Sequence, residues 1–405
     1  MKKENTQLIE TIHQKLVIEL ETIGKTWGLI NSEIVLVSLN KILDNLEIKI
    51  EENSREEIIK SILARVTGLG QLQSLIDDKT ITEIMVNGYQ NVFIERTGKI
   101  EKMAIEFSND NELLHLINRI VSRVGRHIDT ASPLVDARLP DGSRVHAIIP
   151  PLSLIGPVLN IRKFGDDIFN LEKLVEINTL NQAMANFLKL VITTKQNILI
   201  SGGTGSGKTS TLNALASTIP DDERVIIIED IQEIRLNHNH IVSLESRLPN
   251  IEGKGEINIR TLLRTALRMR PDRIIVGEIR GAEALDMLQS MNTGHQGSLS
   301  TVHSNSSLDA LFRLETMTLM SELDLPLMAI REQIKSAIQF LIQVERLADG
   351  SRKITSISEL ENERDQNTTS YKLNPIFFYD KQKKEFVATG YIPQRKEAVE
   401  LVSRL

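Results

Sequence analysis

There is no cysteine among the 405 residues, which removes structural disulfides, thiolate zinc sites, iron–sulfur clusters and cysteine nucleophiles together. A reducing compartment suits such a chain. Aromatic residues make up only 4%, and basic residues are outnumbered, 48 against 54 acidic ones, for a formal charge of -6. A basic groove with stacking platforms for nucleic acid needs the opposite on both counts. Long apolar runs are also missing. The most conspicuous uncharged stretch, Ala147 to Ile161, carries Pro150, Pro151, Gly156 and Pro157, so no lipid-spanning helix is expected there. The N-terminal MKKENTQLIE places polar and acidic residues where a signal peptide needs an apolar stretch. The expectation is a cytoplasmic protein without direct membrane insertion, peripherally associated with a membrane through partners.

What is present is ordinary for a globular protein, 41% hydrophobic and 25% charged residues, and at roughly 150 residues per domain the length allows two or three domains. The pattern predicts a helical segment over 1–55, from Leu8, Ile12, Leu16 and Leu20 at i, i+4 spacing and the acids Glu51, Glu52, Glu56 and Glu57 near its end. A smaller α/β domain is predicted over 56–165, with strand-like runs at Ile81–Val86, Asn91–Glu95 and Arg144–Ile149 and turns at Asn87-Gly88, Thr97-Gly98 and Asp141-Gly142. A linker over 166–179, opening near Gly165, Asp166 and Asp167, leads to a second domain over 180–345. There, runs Asn197–Ile200, Arg224–Ile228, Arg273–Val276 and Gly297–Val302 alternate with helical patterns, the mark of a parallel-rich sheet in an α/β fold. Helix is predicted from Leu308 to Val344, and 346–405 reads as a polar extension with short strand-like pieces.

The strongest motif is Gly202-Gly203-Thr204-Gly205-Ser206-Gly207-Lys208-Thr209, a Walker A sequence of the form G-x-x-x-x-G-K-[ST] between a strand and a helix. Its amides can wrap phosphate oxygens, Lys208 can reach the β- and γ-phosphates, and Thr209 can give its hydroxyl to Mg²⁺. ATP and Mg²⁺ are the expected ligands. Two further strands end in acids: Val225–Ile228 runs into Glu229-Asp230 with Glu233 beyond, and Arg273–Val276 runs into Gly277-Glu278. Glycine stands where a P-loop enzyme usually has its metal-side aspartate, so Glu278 is expected to orient the attacking water, and Glu229, Asp230 and Glu233 to bind metal through water or polarise the nucleophile. His295 and His303 bracket the fourth strand, and their spacing alone decides nothing. Arg260, Arg264 and Arg268 form a helical stripe expected to face solvent or another subunit, and Asn237-His238-Asn239-His240 lacks the further ligands of a metal or nuclease site.

In this order the P-loop, the acidic run Glu229-Asp230-Ile231-Gln232-Glu233, the segment Arg270 to Arg280 and the run His295 to His303 resemble the secretion ATPases of type II and type IV secretion and type IV pili, closest to the CpaF-type motor of Tad pili. The likeness extends upstream to Thr82–Gly88 and Val135–Arg144. It implies a RecA-like ATPase domain in a homo-hexamer, with the N-terminal domain swinging against it as ATP is hydrolysed, work passed to an inner-membrane platform protein, and catalytic roles for His295 and His303. It also implies that Arg138 and Arg162 reach the γ-phosphate, a role that suits a planar guanidinium. The rival is a RecA-like motor that translocates nucleic acid, which the charge and aromatic content disfavour.

Overall fold

Between Ile81 and Arg162 short strands alternate buried and partly exposed residues, the period-two pattern of a sheet covered on one face. The computed structural model describes residues 69–394 except 97, 164–168, 248, 250–253, 322 and 363–370, together with 32–45 and isolated helical positions upstream. The chain divides into two compact units, Met1–Asp166 and Asp167–Leu405. In the first, helices α1 (Ser32–Asp44) and α2 (Gln73–Asp77) precede strands β1 (Ile81–Asn87), β2 (Val92–Arg96) and β3 (Lys99–Lys102). Helix α3 (Asp110–Ser122) follows, then β4 (Leu134–Arg138), β5 (Arg144–Ile148) and β6 (Val158–Arg162). The six strands form an antiparallel sheet in the order β3-β2-β1-β6-β5-β4. Asn109 caps α3 through its side chain, and Leu113, Ile117, Ile120 and Val121 of that helix share a core with Ile84, Val86, Leu159 and Ile161. Of the N-terminal positions, Ile12 and Leu16 are helical and buried; Leu8, Leu20, Glu51, Glu52, Glu56 and Glu57, like Gly165 to Asp167, lie outside the described residues.

The second unit begins with α4 (Leu171–Glu176), inside the expected linker, and α5 (Gln182–Thr193). Strand β7 (Ile198–Gly202) leads into α6 (Lys208–Ala216); β8 (Val225–Glu229), β9 (Ile241–Glu245), α7 (Ile259–Ala266), β10 (Arg273–Ile279), α8 (Glu283–Asn292) and β11 (Leu299–His303) follow. Helices α9 (Ser307–Leu319) and α10 (Leu327–Ala337) precede β12 (Phe340–Arg346), β13 (Arg352–Leu360), β14 (Leu373–Asp380) and β15 (Glu385–Ala388). The sheet order is β15-β14-β13-β12-β7-β11-β10-β8-β9, parallel from β12 to β9 and antiparallel beyond. Parallel strands bury both faces: Val225 and Ile227 point into one core with α5 and α6, Ile226 and Ile228 into another with α7 to α10.

Two differences from the sequence expectation have the same cause. The helix expected to reach Val344 stops at Ala337, and Phe340–Arg346 is a strand, because its first five residues, Phe340 to Val344, are buried on both faces and satisfy their backbone between β7 and β13. The expected extension 346–405 likewise supplies β13 to β15, continuing the same sheet. In the arginine stripe Arg264 and Arg268 are exposed, and Arg260 and Arg264 both donate to Asp286 of α8, at 2.6 and 2.7 Å.

The amino edge of the parallel sheet is pinned by a buried ion pair. Arg273, 0% exposed, donates through Nε and Nη2 to the Glu223 carboxylate at 2.6 and 3.1 Å, and to the carbonyls of Ile192 and Gly297 at 2.8 and 3.3 Å. Burial pushes the Glu223 carboxyl up, but Arg273, and after it Lys195 at 3.2 Å, outweigh it and the group stays below its ordinary range. Gly297, at φ +79, is required here, since a β-carbon would lie 2.0 Å from Arg273 Nη1. Removing one partner of such a pair strands a buried charge at a cost of about 3–5 kcal/mol, whereas replacing both with apolar residues costs far less. Glu223→Gln should therefore lower unfolding free energy in urea by about 3 kcal/mol, and Glu223→Met with Arg273→Met should recover most of it. Equal losses in both would show that the ionic pairing is not what holds this edge.

Candidate functional site

Because β7, β8, β10, β11 and β12 run parallel, their carboxyl ends open on one edge, the place where ligands bind in open parallel sheets. β7 ends at Gly202, in register with His303 of β11 on one side and Val344 of β12 on the other. The loop Gly203–Gly207 then turns into α6, with Gly207 in the left-handed region at φ +101 as the capping residue and Lys208 and Thr209 in the first turn. A helix start of this kind presents free amides and a positive end to an anion. Lys208 donates through Nζ to the carbonyls of Gly202 and Gly203 at 3.0 and 2.9 Å. Burial lowers its pKa, opposed by the negative charge of Glu278. Ser206 buries its hydroxyl without a hydrogen-bond partner among the described residues, so the loop has polar capacity in hand for a ligand.

The acids divide by role. Glu229 closes β8 with 4% exposure and accepts from the backbone amides of Glu233 and Ile234 at 2.9 and 3.0 Å. Its carboxylate thus folds the following turn and fixes Glu233, whose Oε2 receives the Thr209 hydroxyl at 3.2 Å. Gly277 is level with Glu229 in the neighbouring strand, and a β-carbon there would sit 3.0 Å from Glu229 Cγ. Glycine in the usual aspartate position makes room for this buried glutamate. Asp230 is exposed. Glu278 accepts from Arg280 at 2.6 Å, and Arg280 also lies 3.7 Å from Asp230, which raises its pKa through Glu278 first. Arg280, unassigned in the sequence reading, is the cation of this carboxylate cluster.

Thr209 and Glu233 suit Mg²⁺. No group of three His, Asp or Glu side chains among the described residues could hold a metal, and Mg²⁺ typically takes one or two protein ligands, its waters and substrate phosphates. The two histidines are not brought together. His303 ends β11 beside Gly202, while His295 precedes the strand at the opposite edge, near Arg273 and Gly297; within one chain His295 is not part of the cluster. Arg138 and Arg162 belong to the first unit, where register places Arg138 opposite Arg144 and Arg144 opposite Arg162. Arg144 is the neighbour that sequence spacing did not reveal.

Burial raises the Glu229 carboxyl to about 7, against the opposing pull of the two amides. A folded-state pKa above the unfolded one gives stability that is complete below about 4.5 and lost as pH rises through about 7, a shift worth on the order of 3 kcal/mol. Glu229→Gln keeps the acceptor oxygen and removes the titration. Its melting temperature relative to the parent chain should climb between pH 4.5 and 7 and level off above. A pH-independent difference would contradict the burial of an ionisable carboxyl here.

The family model described as type II/IV secretion system protein matches residues 65–377. The conjugal transfer protein TrbB of Rhizobium radiobacter is 33% identical over 301 residues, 73% of this chain and 89% of that protein. The type IV secretion system protein VirB11 of Bartonella henselae is 31% identical over 333 residues, 72% of this chain and 92% of that one. Among solved structures, the ATPase DotB of Legionella pneumophila (TM-score 0.53, 21% identity, 72% and 80% coverage) and the pilus retraction motor PilT with bound ADP (TM-score 0.53, 17% identity, 82% and 88% coverage) share the α/β fold. By the extent of the family match and the identity to TrbB and VirB11, this chain belongs to the type II/IV secretion system protein family.

Proposed function

We propose that this chain is an ATPase whose hydrolysis cycle does mechanical work on a pilus or secretion assembly. The observation that carries the reading is the meeting of a P-loop lysine and hydroxyl with Glu233 and Glu278 at adjacent strand ends. In this reading the amides of Gly203–Gly207 and the start of α6 bind the phosphates of ATP, and Lys208 leaves the Gly202 and Gly203 carbonyls for phosphate oxygens. Thr209, with Glu233 behind it, would hold Mg²⁺, which would supply charge neutralisation on the phosphates. Glu278 orients the attacking water once Arg280 releases it, and His303 stands beside the P-loop to sense the γ-phosphate. Family membership supports a homo-hexamer, a cytoplasmic position and an inner-membrane platform protein as the recipient of the work. A Tad pilus is the specific assembly proposed. Arg138 and Arg162 are proposed to reach the γ-phosphate on domain closure.

Lys208→Ala should abolish both triphosphate affinity and turnover. Glu278→Gln should retain affinity and lose turnover by about 10²–10⁴, the usual share of a positioned acid–base group. Wild-type phosphate release from Glu278→Gln would remove that residue from its role.

The arginine proposal has a separate readout. Arg138→Ala and Arg162→Ala should lower turnover by roughly 10³ or more with ATP affinity little changed, and lysine should restore little because it lacks the planar fork. If either preparation melts earlier yet hydrolyses ATP at the parent rate per folded chain, that arginine is structural.

A further inference from the structure

The P-loop has two flanks. β7 carries it, with β11, β10 and β8 on one side and β12 on the other. The carboxylates Glu229, Glu233 and Glu278 all come from the first side. From the second comes the hairpin of β12 and β13, in which Arg346 and Arg352 are directly paired. Since β12 is parallel to β7, Arg346 at its carboxyl end emerges on the same edge as the P-loop.

The two arginines are close to the loop. Arg352 donates through Nε to the carbonyl of Gly205 at 3.1 Å, and its Cδ lies 3.1 Å from where a β-carbon on Gly207 would be. Arg346 Nη1 lies 3.9 Å from the corresponding point at Gly205. Arg352 is thus engaged with the loop backbone, whereas Arg346 is exposed and its side chain makes no hydrogen bond or ion pair with another described residue. The span Glu345 to Lys353 contains no aromatic residue, so any base arriving here meets guanidinium rather than a ring.

The direction of the nucleotide follows from chemistry. Its γ-phosphate must face the carboxylates that handle water, so its nucleoside leaves the loop toward the other flank, where the hairpin stands. A guanidinium offers that end a flat cationic face for a purine and donors for ribose oxygens. We propose that Arg346 binds the nucleoside end of the nucleotide, with Arg352 bracing the P-loop beneath it. The inference rests on the nucleotide reading of the site and adds a binding residue supplied by the C-terminal hairpin.

The test is calorimetric titration of the full-length Arg346→Ala chain and the parent chain with Mg²⁺-ATP, Mg²⁺-ADP and Mg²⁺-tripolyphosphate, with melting curves on the same preparations. ATP and ADP should each bind about tenfold more weakly to the variant while tripolyphosphate is unchanged, the loss expected of a cation–π contact of moderate strength. Arg346→Lys should recover part of it. Unchanged ATP affinity in a folded variant, or equal losses for ATP and tripolyphosphate, overturns the assignment to the nucleoside end. Failure of the parent chain to bind any of the three would instead overturn the nucleotide reading on which the inference rests.

Discussion

Everything proposed for the second unit hangs on the parallel pairing of β7 with β11 and β12, and of β10 with β8 and β11. Parallel strands in register deliver their carboxyl ends together, so Gly202, Glu229, Gly277 and His303 meet because strand pairing leaves them nowhere else to go. Both faces of these strands are covered by apolar cores, which makes the register costly to shift. The opposite edge is fastened separately. Arg273 and Glu223 tie β10 to the segment before β8, and Asn197 links the starts of three strands by accepting from Ser298 and donating to Ala337 while its amide donates to Gln339. Polar groups on the amino edge tie strand to strand, and those on the carboxyl edge gather around the P-loop.

That division explains an exchange between Gly277 and Glu229. A P-loop site needs a carboxylate near the hydroxyl of the first helical turn, and here the strand usually expected to supply one carries glycine. The buried Glu229 occupies the room this leaves and its oxygen accepts from two backbone amides, and Glu233, at the far end of that turn, is the acid that meets Thr209. A short, branched network replaces a single residue. Its cost is a carboxyl held in a place where burial favours the neutral form.

How much of this was legible in the sequence depended on contiguity. The P-loop was readable because eight consecutive residues carry the whole device, and the strands β7, β8 and β10 because short aliphatic runs rich in β-branched residues and bounded by Gly and acids have few other homes. The hydrogen bonds of Glu229 were not, since its partners are backbone amides brought to it only when the turn folds. His295 and His303 look adjacent in the text, but an extended strand carries its two ends to opposite edges of a sheet at about 3.3 Å per residue. Arg280, Arg346 and Arg352 reach the site through strand order, which no local pattern encodes. β12 escaped for a different reason: a short apolar run reads equally as buried helix or buried strand until its neighbours are known.

The first unit shows the same logic in an antiparallel setting. Arg138 and Arg144 face each other across the β4–β5 hairpin, and cross-strand pairing brings the more distant Arg162 onto the same rung of β4, β5 and β6, with Glu83 of β1 next to Arg162. Like charges directly opposite one another weaken a sheet, so a row of guanidinium groups is a poor choice for stability alone. Acidic neighbours such as Glu83 offset part of that repulsion. An anion with several oxygens, presented to the whole row, would offset more of it, and a phosphate group matches the donor geometry of arginine better than a carboxylate fixed on one strand can. The phosphate-directed role proposed for Arg138 and Arg162 would accordingly engage the rung as a unit, including the Arg144 between them, rather than either side chain taken singly.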